Sequence, residues 1–168
     1  MKAAMVLVVY ALVLLAGGLI AYTSAPADAN ALTALIIPGV CAAVIGVCAL
    51  LVVVGFKGNR KLAMIGAHAA MLFTLLFAVA FGMRAKAGFD ASAEYREGVE
   101  QFEAAGISGA PIGDAARKAY LEGRDLPTHD KAYLAFTLSG LVVASVVAFG
   151  ALIVMRPKPG ERGVVGGA

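Results

Sequence analysis

His68 is the residue whose type and setting invite chemistry first. It is the one member of the Asp, Glu, Lys, Arg and His set inside four long apolar runs, 3–23, 32–56, 62–83 and 132–155. An ionisable side chain within a membrane span marks a functional position by default, because hydrocarbon penalises it heavily. Met64 and Met71 stand at i−4 and i+3 on the same run, so a helix places both beside the imidazole. A short hairpin between the second and third runs brings Cys48 to nearly the depth of His68. One imidazole, one thiol and two thioethers form a donor set suited to a soft metal or to an axial haem contact. The competing expectation is a neutral histidine giving one hydrogen bond across the helices, to a carbonyl or to Tyr10, with Met and Cys as apolar filler. No second histidine lies in a run, so a bis-histidine haem within one chain is excluded, and neither a resident cofactor nor a metal is assigned.

The elements that must position these residues follow from length and composition. The chain has 168 residues, 61% of them hydrophobic and 15% charged, against about 25% charged in a typical soluble domain. Runs of about 20 apolar residues match a hydrocarbon core of roughly 30 Å at 1.5 Å of rise per residue. Continuous rather than alternating apolarity selects helices over barrel strands, and a helix satisfies its own backbone in lipid. The expected fold is therefore all-α, a polytopic membrane protein with four antiparallel transmembrane helices. The connections at 24–31 and 57–61 are short, which makes sequential helices antiparallel neighbours. Pro38 lies early in the second run and deprives a carbonyl one turn back of its amide partner, so a kink is expected there. Lys2, the apolar run and the small residues at 24–29 imitate a signal peptide, but the run exceeds the usual 7–15 residues of such segments, and an uncleaved span is expected.

Small residues recur at helical spacing. Ala63, Ala67, Ala70, Thr74 and Ala78 form one stripe; Thr137, Gly140, Ala144, Ala148 and Ala151 form another. Gly17 with Ala21 and Ala42 with Gly46 add small-xxx-small pairs. In lipid such stripes let backbones approach, since van der Waals packing takes over from the hydrophobic drive. They point to tight packing within the chain and against other membrane chains.

The polar stretch 85–130 reads as an extramembrane insertion of two short helices between the third and fourth spans. Ser92 can cap the first, over 92–105, with Tyr95, Val99 and Phe102 on its apolar face. Glu94, Glu97, Glu100 and Glu103 drift around that helix and form a solvated face rather than a calcium loop, which requires a compact acidic turn with a central glycine. Gly106 to Gly113, with Pro111, reads as a turn, and Asp114 can cap the second helix to about 122. The expected packing buries Tyr95, Phe102 and Tyr120 on the outer end of the spans. His129 beside Asp130 suits capping of the last span. The tail 157–168, rich in Gly and Pro, reads as flexible or as ordered by docking on a partner.

Other function classes find little support. A net charge of +3, with 14 basic residues scattered among 11 acids, has no nucleic-acid footprint. Ser139 and Ser145 have no histidine at their level, and no phosphate loop or Cys-x-x-Cys occurs. Cys41 and Cys48, one heptad apart on one helix, lie about 10 Å apart along it, too far to bridge. No enzyme is expected. Lys2, the basic 57–61 turn and the tail's Arg156, Lys158 and Arg162 favour cytoplasmic termini, with 85–130 on the opposite side.

The Gly17-Gly18-Leu19-Ile20-Ala21-Tyr22 close of the first run and Gly82-Met83-Arg84 at the close of the third resemble the transmembrane protein 14 family of small four-helix membrane proteins. The likeness spans about 1–86 and, faintly, the last run. It departs where about 40 polar residues separate the last two spans and where that family's Ser-Pro-Ser-Leu stretch is missing. The resemblance implies a facilitator moving a small hydrophobic molecule of porphyrin or lipid type. The residues themselves favour a non-enzymatic accessory or scaffold subunit, bound to lipid and to other membrane chains through its small-residue faces and the 85–130 insertion.

Overall fold

A computed structural model describes residues 2–26, 32–105 and 114–155, and every regular element among them is an α-helix. These are α1 (Lys2–Thr23), α2 (Leu32–Gly58), α3 (Arg60–Ala104), α4 (Asp114–Glu122) and α5 (Ala132–Met155). Four of them, α1, α2, α3 and α5, are long and apolar enough to cross a membrane. The 106–113 turn, the end of the 24–31 connection and the 157–168 tail lie outside the described residues.

The largest departure from the sequence reading is α3. Instead of a span ending at 83 and a separate helix capped by Ser92, one helix of 45 residues runs without interruption, about 67 Å at 1.5 Å per residue. The physical reason is that nothing stops it. Residues 84–92 contain no proline, Lys86 and Asp90 pair at 2.7 Å across one turn, and Gly88 is held against Ala135 of α5. Ser92 is accordingly a buried helix-interior residue and not a cap. The real cap is Asn59, extended at φ −141°, whose side chain accepts from the Lys61 amide at 3.1 Å.

The long helices touch in cyclic order, α1 on α2, α2 on α3, α3 on α5 and α5 on α1. Contacts run in opposite chain senses. Gly17 meets Leu141 while Tyr10 meets Ser145, and Gly55 meets Ala63 while Gly66 meets Cys48 and Val52. The interior is filled by Leu7, Leu14, Ile45, Val52, Phe81 and Leu152, all under 2% exposed. Outside, Leu12, Ile20, Val54, Leu72, Val79, Val143 and Val154 are exposed. Water would penalise such a surface, whereas hydrocarbon accepts it.

Two glycines carry the closest helix approaches. A Cβ on Gly55 would sit 2.2 Å from the Ala63 amide nitrogen, and one on Gly66 would sit 3.0 Å from the Cys48 carbonyl oxygen. Neither was singled out from sequence. Gly46 and Gly140, which were, face open space, because their positions fall on the outer sides of α2 and α5. The atoms nearest a Cβ on Gly17 belong to the Leu141 side chain, which can move, and not to backbone. Ala21, Ala42, Ala63, Ala67, Ala70, Ala78 and Ala148 are buried, and Ala144 is half-buried. Pro38 is buried against Gly18 within a helix that continues through it. Lacking an N–H, it leaves the Ala34 carbonyl without an intrahelical partner.

Candidate functional site

His68 lies on the exposed side of α3, and its Nδ1 is 2.7 Å from the Met64 carbonyl oxygen one turn back in the same helix. Cys48 is buried on the inner side of α2, Met64 is exposed, and Met71 is half-buried against the core. His68 and Met64 share the exposed face one turn apart, while Cys48 and Met71 turn toward the core, so the four donors do not converge. Helical rotation explains this: Ala63, Ala67, Ala70 and Thr74 take the inward stripe of α3, which leaves position 68 pointing away. The histidine reaches a carbonyl, but of its own helix, and Tyr10 is committed elsewhere. Among the described residues no three His, Cys, Asp or Glu side chains group as a metal site. Both cysteines are free. Replacing His68 by leucine is expected to change stability by less than about 0.5 kcal/mol, read as the melting temperature in detergent. A loss several times larger would show that the imidazole holds the fold together.

The polar contact inside the spans is Tyr10 with Ser145, at 2.6 Å between hydroxyl oxygens and fully buried between α1 and α5. Ser145 donates its own hydrogen to the Leu141 carbonyl at 2.7 Å, so the tyrosine must be the donor between helices. Thr74, Thr137 and Ser139 likewise donate to carbonyls of their own helices. Every hydroxyl in this group is therefore occupied, and none is poised as a nucleophile.

Chemistry concentrates instead where α3 leaves the apolar region. Ser92 donates to Asp130 Oδ1 at 2.5 Å, Arg96 lies 3.5 Å from Oδ2, and the Ala132 amide donates to Oδ1 at 2.8 Å. Asp130 thus caps α5 and ties it to α3 with one carboxylate. A polar cap residue immediately before an apolar run was a legible signal; the partner 38 residues earlier was not. Burial alone pushes the Asp130 carboxyl up, but the Ser92 hydroxyl, the Ala132 amide and the Arg96 guanidinium together outweigh it, and the net direction is down from 3.8. A carboxyl lowered in the folded state stabilises fully above its unfolded value and loses that contribution as pH falls through the folded one. The melting temperature is therefore expected to fall below about pH 4 more steeply in the native chain than in Asp130→Asn. Parallel pH profiles would contradict the clamp.

Beyond the clamp, α4 folds back on the distal part of α3. Leu121 is fully buried, Phe102 and Tyr120 meet with tilted rings 5.2 Å apart, and Arg124 covers the Tyr120 ring at 4.5 Å while donating to Gln101. Gly98 makes room for Leu121 and Leu126. Tyr95 is half-buried and Glu94, Glu97, Glu100 and Glu103 are exposed. After α4, Asp125 takes a positive φ of 55° and turns the chain toward α5.

Two of the concave regions among the described residues lie between the long helices. One, of about 220 Å³, opens between α1, α2, α3 and α5 at the level of Arg84 and Lys131. The other, of about 460 Å³, is a shallow apolar groove between α1 and α5 near Lys2 and Met155. Comparison with protein-family models, curated proteins and solved structures finds no match to this chain.

Proposed function

We propose that this chain is a non-enzymatic, multi-pass membrane protein that serves as an accessory or scaffold subunit of a larger membrane assembly. In this reading the four long helices form an antiparallel bundle in the bilayer, with both termini on the cytoplasmic side and 85–130 on the opposite side. The observation that supports it is α3, one continuous helix that combines a stretch apolar enough to cross a membrane with a polar extension that would serve as a stalk. It holds a small head, α4 packed at Gly98 and Phe102, about 21–27 Å beyond Arg84 at 1.5 Å per residue. The Asp130 clamp stiffens the junction. The occupied hydroxyls leave no polar pathway through the spans of the kind a transporter places near midplane. Purification from native expression in mild detergent is expected to yield particles in which other chains co-migrate stoichiometrically. A lone monomer or homodimer would sink the reading.

A second reading, facilitated movement of a small hydrophobic molecule of the kind the transmembrane protein 14 resemblance implies, is favoured by the cavity at Arg84 and Lys131. It requires saturable flux in reconstituted vesicles that filling this cavity with Ala34→Phe abolishes. Flux unaffected by that change would remove it.

A further inference from the structure

The cavity of about 220 Å³ between α1, α2, α3 and α5 has a divided character. Its wall is mostly apolar, built from Ala34, Pro38, Leu138 and Leu141 with Thr33 and Thr137 among them, and Gly88 keeps one side low. Among the described residues its charged lining is Arg84 and Lys131, both cations, with no carboxylate. The neighbouring acids are engaged, Asp90 by Lys86 at 2.7 Å and Asp130 by Ser92 and the Ala132 amide. Among the described residues neither Arg84 nor Lys131 forms an ion pair. Among the described residues no carboxylate pairs with either cation at the mouth, and beneath it lies a mostly apolar slot.

The two cations also sit at different heights. Gly88 faces Ala135, and the helices run in opposite senses, so Lys131 lies level with about position 92 of α3. That is roughly 12 Å further out than Arg84 at 1.5 Å per residue. Both side chains are long and flexible enough to reach one group between them. Basic pockets between spans at a membrane surface select anionic head groups by charge. The apolar slot adds what a free anion could not use.

The geometry points to a binding site for one anionic phospholipid of the adjoining leaflet, with its phosphate between Arg84 and Lys131 and one acyl chain entering the slot. A volume of about 220 Å³ takes part of one chain, so the second chain stays in the bilayer. The site presupposes that the spans lie in a membrane, and it is independent of any protein partner. Its wall draws on all four long helices, so an occupant would join α1 and α2 to α3 and α5 at the foot of the stalk.

The test uses the full chain in detergent, titrated with phosphatidylglycerol, phosphatidylcholine or oleate and read by native mass spectrometry. Phosphatidylglycerol is expected to bind about 30-fold more tightly than phosphatidylcholine, which is about 2 kcal/mol for two cations at 1.4 kcal/mol per tenfold. Arg84→Gln with Lys131→Gln removes that preference, and Arg60→Gln with Lys61→Gln, at the opposite end of α3's apolar part, leaves it intact. Ala34→Phe weakens phosphatidylglycerol binding in a chain whose helical circular dichroism is unchanged, separating a filled slot from misfolding. Equal binding of the two phospholipids overturns the site, as does a preference that survives loss of both cations. Retention of oleate without phosphatidylglycerol overturns the phospholipid assignment.

Discussion

Gly55→Leu is expected to separate α2 from α3 and to prevent recovery of a folded chain in mild detergent, while Gly55→Ala lowers the melting temperature sharply. The atom in the way is backbone: an alanine Cβ would stand 2.2 Å from the Ala63 nitrogen, 2.7 Å from its Cα. No rotamer change relieves that contact, so the helices must move apart. Overpacking a tight site costs about 1–3 kcal/mol and occasionally more, and here the upper end applies because lipid supplies no hydrophobic drive to close the gap again. Gly46→Ala and Gly140→Ala are expected to act with the opposite sign. Both glycines sit in helices and face open space, so the substitution gains about 0.5–1 kcal/mol of helix stability. If all three changes behave alike, close backbone approach is not what holds this hairpin.

Leu121→Ala is expected to release α4 from the stalk altogether. Leu121 is fully buried against Gly98 on α3, and truncating a buried leucine costs about 2–5 kcal/mol. The nine residues of α4 are too few to hold a helix alone, since isolated helices below about 12–15 residues are marginal in water. The loss should therefore be all-or-none. Amide hydrogen exchange over 114–122 is expected to become unprotected while the spans keep their protection. Under the proposed function, co-migrating chains that dock on the head are lost together with α4. Unchanged protection of α4 would place its stability somewhere other than this contact.

The helix class and the four apolar segments were legible because hydrocarbon imposes a simple constraint: long uncharged runs with internally satisfied backbones. The inward stripe of α3 was legible for a related reason, since Ala63, Ala67, Ala70, Thr74 and Ala78 repeat at the helical period. What escaped depends on rotation and on distance along the chain. Hydropathy is nearly uniform around a span, so it cannot tell that His68 points outward while Cys48 points inward. For the same reason the spacing favoured Gly46 and Gly140, which face open space, over Gly55 and Gly66, which make the close contacts. The continuity of α3 was missed because polar residues after Arg84 suggest a boundary, although a change of solvent does not end a helix that lacks a breaker. Ser92 and Asp130 each looked like a cap; only their meeting makes them a clamp.

The accessory-subunit reading stands on one element joining the spans to the head, and a distance along α3 tests it directly. Spin labels on Leu76→Cys and Glu100→Cys, both exposed positions, in a background with Cys41→Ala and Cys48→Ala, report that distance in a lipid nanodisc. A continuous helix is expected to give one narrow distribution centred near 36 Å, from 1.5 Å per residue. A broad distribution, or one centred well below about 30 Å, would mean that α3 breaks near the membrane edge. The head would then not be held by the spans, and the proposed scaffold would lose its structural basis.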